Sequence, residues 1–132
     1  MSKWKVANYE LSLRPRELGV RQDASEWVWL KLQGKPIKLV RRDWIPDGVL
    51  DSPITECVAA AYDVAELGVA LPDDVHVYRH ETDWFSGAWR KLDVGCVGIT
   101  AADALATMLI RLIEHGHVSV DDVNRRLGEL WS

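Results

Sequence analysis

The side chains able to do chemistry are few and awkwardly spaced. Four histidines fall in two close pairs, His76 with His80 and His115 with His117. On a strand the first pair shares a face but stands about 13 Å apart at a rise of 3.3 Å per residue, too far to share one metal ion. The second pair flanks Gly116 at what reads as a helix end, where a cation complements the helix dipole. No third or fourth ligand stands at suitable spacing, so neither metal nor cofactor is expected. Cys57 and Cys96 sit in an apolar helical stripe and near a strand end, the usual places of small buried hydrophobes. The chain contains no Gly-x-Ser-x-Gly elbow, phosphate loop or Gly-x-Gly-x-x-Gly run, so acyl transfer and nucleotide chemistry lack their usual frames. One enzymatic arrangement is left: Asp73-Asp74 with Glu81, Asp83 and Asp93, and Lys91 nearby, would suit a metal-assisted hydrolase or nuclease. Glu81 and Asp83 fall in a connecting loop, where solvated charge is ordinary, so the sequence favours a protein that is not an enzyme.

Two other features point to partners. The net charge of −4 is unevenly spread: residues 1–45 carry +5, and residues 46–132 carry −9. Seven tryptophans are many for a chain of 132 residues. Trp4, Trp27, Trp29 and Trp44 share the basic portion, and Trp84 and Trp89 flank a later hairpin. Some of these rings must be core bulk, but two thin layers do not bury all seven. Exposed Trp beside Arg41 and Arg42 suits a protein hot spot, or base stacking on single-stranded nucleic acid. The acidic total disfavours direct nucleic-acid binding, which draws on phosphate neutralisation. In the acidic portion, Asp47, Asp51, Glu56, Asp63, Glu66, Asp73 and Asp74 form a negative surface suited to a basic partner, including a nucleic-acid-binding protein.

The elements that would position these residues follow from periodicity. Length predicts a single domain, 1–132, made of a basic Trp-rich β portion (1–45) and an acidic helix-hairpin-helix portion (46–132). Tyr9, Leu11 and Leu13 alternate with polar residues and predict a strand ended by Arg14-Pro15. Trp27 to Leu32 and Ile37 to Val40, around Gln33-Gly34-Lys35-Pro36, predict a hairpin, with one of Trp27 and Trp29 in the core and the other outside. Asp43 to Asp51 reads as a loop. Ser52-Pro53 opens a predicted helix with Ile54, Cys57, Val58, Ala61, Val64 and Ala65 on one face and Gly68 at its end. Val75 to Tyr78 and Ala88 to Leu92 read as strands about a Ser86-Gly87 turn. Thr100 and Ser119 cap two final helices. The predicted fold is α+β, an antiparallel sheet with helices on one face, in the order β-ββ-α-ββ-α-α. No apolar run follows the charged N-terminus and none approaches the roughly 20 residues of a membrane span, so a cytoplasmic protein without membrane contact is expected.

The run Ser52-Pro53-Ile54-Thr55-Glu56-Cys57-Val58-Ala59-Ala60-Ala61-Tyr62, the strand pair with Tyr78 and Trp89, and the helix start Ala101-Ala102-Asp103-Ala104-Leu105 resemble small phage-encoded proteins of the ABA-sandwich type, and more distantly the NinX-like group. The resemblance spans residues 52–113, carries no catalytic residues, and implies a phage or mobile-element origin. It implies a binding protein that blocks a host protein or complex of bacterial defence, in the manner of anti-CRISPR inhibitors. The expected partner surfaces are Trp27, Trp29, Arg41, Arg42, Trp44 and Trp84 on one side, and Asp47, Asp51, Asp73 and Asp74 on the other. A homodimer is compatible with the same features.

Overall fold

Asn8 opens the first element: its side-chain oxygen accepts the Leu11 N–H at 2.8 Å and caps helix α1, Tyr9–Leu18. The helix closes at Gly19, whose φ of 96° lets the Val20 N–H return to the Pro15 carbonyl at 2.9 Å. A strand was expected here. The spacing of Tyr9, Leu11 and Leu13 serves a helix as well, because Tyr9 and Leu13, four apart, pack on one core cluster while Leu11 packs on another.

The computed structural model describes residues 5–88 and 91–130, apart from the side chains of 88 and 91–95. Strands β1 (Trp27–Leu32) and β2 (Lys38–Arg41) form the expected hairpin, followed by a single 3₁₀ turn, Arg42–Trp44. β3 (Thr55–Ala61) pairs antiparallel with β1, giving a sheet of order β2-β1-β3. The predicted Ser52 helix is therefore wrong over its first half. A near-continuous apolar run from Cys57 to Tyr62 fits a helical or a strand period, and tertiary packing decides. Trp27 faces Ala61 and Trp29 faces Ala59 across the ladder, so the alanines of β3 leave the volume that the tryptophans fill. Helix α2 starts only at Val64 and runs to Ala70, set by a capping box between Asp63 and Glu66.

The second sheet, β4-β5-β6, is Val75–His80, Asp83–Ala88 and Lys91–Gly98, all antiparallel. Its first turn lies at Glu81-Thr82, with Glu81 at φ 57°. Ser86-Gly87 is not a turn. The Ser86 hydroxyl is buried and donates to the Ala104 carbonyl at 2.8 Å. Gly87 lies under the His76 ring, 3.1 Å from where a Cβ would stand. These residues serve close packing inside a strand rather than chain reversal.

Helices α3 (Ala101–Glu114) and α4 (Val120–Glu129) begin where predicted, on Thr100 and Ser119. Met108, Leu109 and Leu112 of α3 are fully buried, at the centre of a core that also takes Tyr62, Leu67, Cys96, Val123 and Leu127. The architecture is α+β with antiparallel sheets, in the observed order α-ββ-β-α-βββ-α-α. Helix α3 contacts all three strands of the second sheet. The first sheet is buried on both sides of β1: Trp29 faces α1, and Val28, pointing the other way, is fully buried too.

Candidate functional site

The hairpin β1–β2 brings the predicted basic and aromatic residues close together but gives them different tasks. Trp27 and Trp29 are two apart on one strand and so share a face; the expectation that one points in and the other out does not hold. Trp29 is 8% exposed, donates its indole N–H to the Ala7 carbonyl at 2.9 Å, and meets Tyr9 edge-on at 6.3 Å. Trp27 is half-buried and presents its ring to Trp44 at 6.3 Å and 67°. Trp44, on the 3₁₀ turn, is 69% exposed. The Arg41 guanidinium lies 5.1 Å from the Trp44 ring centre, in cation–π geometry. It is held there by Glu26 at 3.5 Å and Asp43 at 3.3 Å, while its buried Nε has no acceptor. Trp44 is therefore an outward ring on a pinned base, backed by a second indole. Ile37, Leu50 and Ile54 are further exposed apolar side chains of the hairpin turn and the following loop.

Arg42 points elsewhere. Its Nε donates to the Ser25 carbonyl at 2.9 Å, and its Nη2 donates to the Ser25 hydroxyl at 2.9 Å and to the Gln22 carbonyl. With its donors spent on the 22–25 segment, Arg42 is a clamp on the chain entering β1. Together with Arg41, Asp23, Glu26 and Asp43 it lines an open depression of about 650 Å³. Trp84 lies on the other sheet, half-buried in a groove between the starts of α2 and α3, beside Lys5 and Val64. It does not join the hairpin rings. Trp4 and Trp89 lie outside the described residues. Of the hairpin rings only Trp44 is open, which leaves no row of rings there for stacking successive bases.

The acidic residues do not form one face. Glu66 is buried at 3% exposure, where its two oxygens accept the Glu26 N–H at 2.9 Å and the Asp63 N–H at 3.0 Å. Burial, reinforced by the nearby Asp63 and Glu26 carboxylates and opposed by those two N–H groups, pushes its carboxyl up to about 7. Asp63 is spent as the α2 cap, and Glu56 pairs with Lys31 at 3.2 Å. Asp47 and Asp51 are exposed on the loop before β3, and Asp73 is exposed before β4 beside the half-buried Asp74. The charge poles seen along the chain also interleave: Arg14 of the basic portion meets Glu114 at 2.8 Å, as Lys31 meets Glu56.

The hydrolase arrangement comes apart in the same way. Glu81 and Asp83 are exposed at the β4–β5 turn, while Lys91 pairs with Ala88 at the far end of β5, about 16 Å away at 3.3 Å per residue. The side chains of Lys91 and Asp93 lie outside those described. Among the described residues no group of three His, Cys, Asp or Glu is placed to hold a metal ion, and no helix is long and apolar enough to cross a membrane.

Two groupings escaped the sequence reading. On the outer face of the second sheet, Tyr78 stacks between His76 at 5.8 Å and Phe85 at 5.6 Å; the alternation of His76, Tyr78 and His80 was its only trace. On β3, Cys57 accepts from Arg16 of α1 at 3.6 Å, a contact between residues 41 apart that no local pattern announces. No protein-family model matches this chain, and no curated protein or solved structure matches it significantly.

Proposed function

We propose that this protein is a non-enzymatic binding module for another protein, with Trp44 on its Arg41 base at the centre of the contact surface. The observation that carries the reading is the 69% exposure of Trp44 in a fold that fully buries side chains as large as Met108 and Leu109. Covering a large apolar side chain contributes about 2–3 kcal/mol that the free protein forgoes here. Tryptophan and arginine are also the residues that most often dominate protein interfaces. Pinning by Glu26 and Asp43 lowers the ordering cost of presenting the ring. The narrower reading, a phage or mobile-element inhibitor of a bacterial defence complex, is supported by the sequence resemblance over residues 52–113.

Trp44→Ala separates binding from folding. Its unfolding free energy in urea should fall by only about 1 kcal/mol, the worth of the exposed contacts with Trp27 and Arg41, so the variant stays folded. A partner cross-linked from bacterial lysate by wild type should be lost. Equal capture by both proteins would remove Trp44 from the interface. For the narrower reading, wild type but not Trp44→Ala should restore phage plating on a CRISPR-protected host.

A further inference from the structure

The edges of the first sheet are treated unequally. On β3, the Gln22 side-chain oxygen accepts the Ala60 N–H at 2.8 Å, and the Tyr62 carbonyl accepts the Ala7 N–H at 3.0 Å. That edge is stapled. On the other side, the Arg42 N–H donates to the Glu26 carbonyl at 2.9 Å, so residues 26 and 42 are a hydrogen-bonded pair. Antiparallel alternation makes Val28/Val40 and Leu30/Lys38 the next such pairs. Leu39 therefore turns its N–H and C=O away from β1, and Arg41 its N–H, while the Arg41 carbonyl opens the 3₁₀ turn; among the described residues no turn, loop or side-chain bond reaches the two outward amides or the Leu39 carbonyl. This open edge runs directly into the turn that carries Trp44.

Charge selects what the edge accepts. Lys35 and Lys38 are exposed and have no ion-pair partner among the described residues. A second copy laid antiparallel along β2 must set outward residues against outward ones; with Leu39 opposite Arg41, Lys38 falls opposite Arg42, a like-charge pair that disfavours self-association and is a common guard on edge strands. An acidic strand meets the same lysines with opposite charge. We infer that the β2 edge takes up an extended, acidic segment of a partner protein as a fourth strand, hydrogen-bonded to the Leu39 N–H and C=O and the Arg41 N–H and flanked by Trp44. This rests on the protein-binding reading of Trp44 and names the chemistry of the bound segment.

The probe is a labelled seven-residue peptide of alternating glutamate and valine, with the lysine–valine peptide as control. The acidic peptide should bind the full chain, more weakly as salt rises, and slow hydrogen exchange at the Leu39 and Arg41 amides; the basic peptide should do neither. Leu39→Pro removes one outward N–H without taking a bond from the β1 ladder, and should weaken binding roughly tenfold relative to Leu39→Ala. If Leu39→Pro does not fold, the exchange measurement on wild type decides. Absence of binding, equal binding of both peptides, or binding that leaves those two amides unprotected overturns the inference. Dimerisation of wild type through this edge overturns it too, with a second copy as the occupant. If the acidic peptide fails while Trp44-dependent capture of a protein persists, strand addition is wrong and the binding surface stands; if both fail, both readings fall.

Discussion

Replacing Glu66 by glutamine should raise the stability of the variant relative to wild type as pH rises from 4.5 to 8. The carboxyl is 3% exposed and its pKa is raised from 4.5 to about 7, with desolvation as the largest cause. A raised acid binds its proton more tightly in the folded state, so between pH 4.5 and 7 the native protein holds a proton that the unfolded chain has released. Stability from this group is therefore greatest below pH 4.5 and falls as pH rises through 7, where both states are ionised and the full cost is present. At 1.36 kcal/mol per pH unit, the displacement from 4.5 to about 7 amounts to about 3 kcal/mol. Glutamine cannot titrate, so it removes the slope; its NH2 accepts neither backbone N–H, which leaves one of the two donors unmet at an offset that is the same at every pH. Urea unfolding of both proteins from pH 4.5 to 8 measures this directly, because every other titration cancels in the difference. The reasoning is refuted if the difference is flat, or if it moves in favour of wild type as pH rises. In that case the two bonds from the Glu26 and Asp63 N–H groups outweigh burial and hold the carboxylate ionised.

Two substitutions test the packing. Trp29→Phe keeps the ring in its slot opposite Ala59 but leaves the buried Ala7 carbonyl only the longer Ser12 hydroxyl bond at 3.3 Å, and should cost about 1 kcal/mol of unfolding free energy in urea; a neutral result would mean that the Ser12 hydroxyl satisfies the carbonyl by itself. Gly98→Ala places a Cβ 2.5 Å from the Ala104 backbone nitrogen at the start of α3. Backbone cannot step aside as a flexible side chain can, so about 3 kcal/mol of destabilisation is expected in a thermal or urea melt, and wild-type stability would show that β6 and α3 can separate freely.

Where one residue and its near neighbours suffice, the sequence was legible. The β1–β2 hairpin follows from two β-rich runs about a glycine turn, and α3 and α4 follow from capping hydroxyls on Thr100 and Ser119 ahead of apolar stripes. The α+β class and the antiparallel sheets come from the same local signals. Failures cluster where two periods fit one string. Tyr9, Leu11 and Leu13 satisfy a strand's alternation, yet Asn8 caps a helix that splits them between two cores. Cys57 to Tyr62 satisfy a helix, yet their small side chains are needed as a strand opposite two indoles.

The candidate surface divides in the same way. Composition alone shows a basic, tryptophan-rich first third and an acidic remainder without a catalytic pattern. Only the folded chain decides that Trp29 is sealed, that Arg42 is spent on the backbone of Gln22 and Ser25, that Glu66 is buried, and that Trp44 stands open. The physical reason is that residue type fixes what a side chain can do, whereas exposure and pairing depend on neighbours tens of residues away. Glu66 meets the Glu26 N–H across 40 positions, Arg14 meets Glu114 across 100, and no window on the sequence contains both partners.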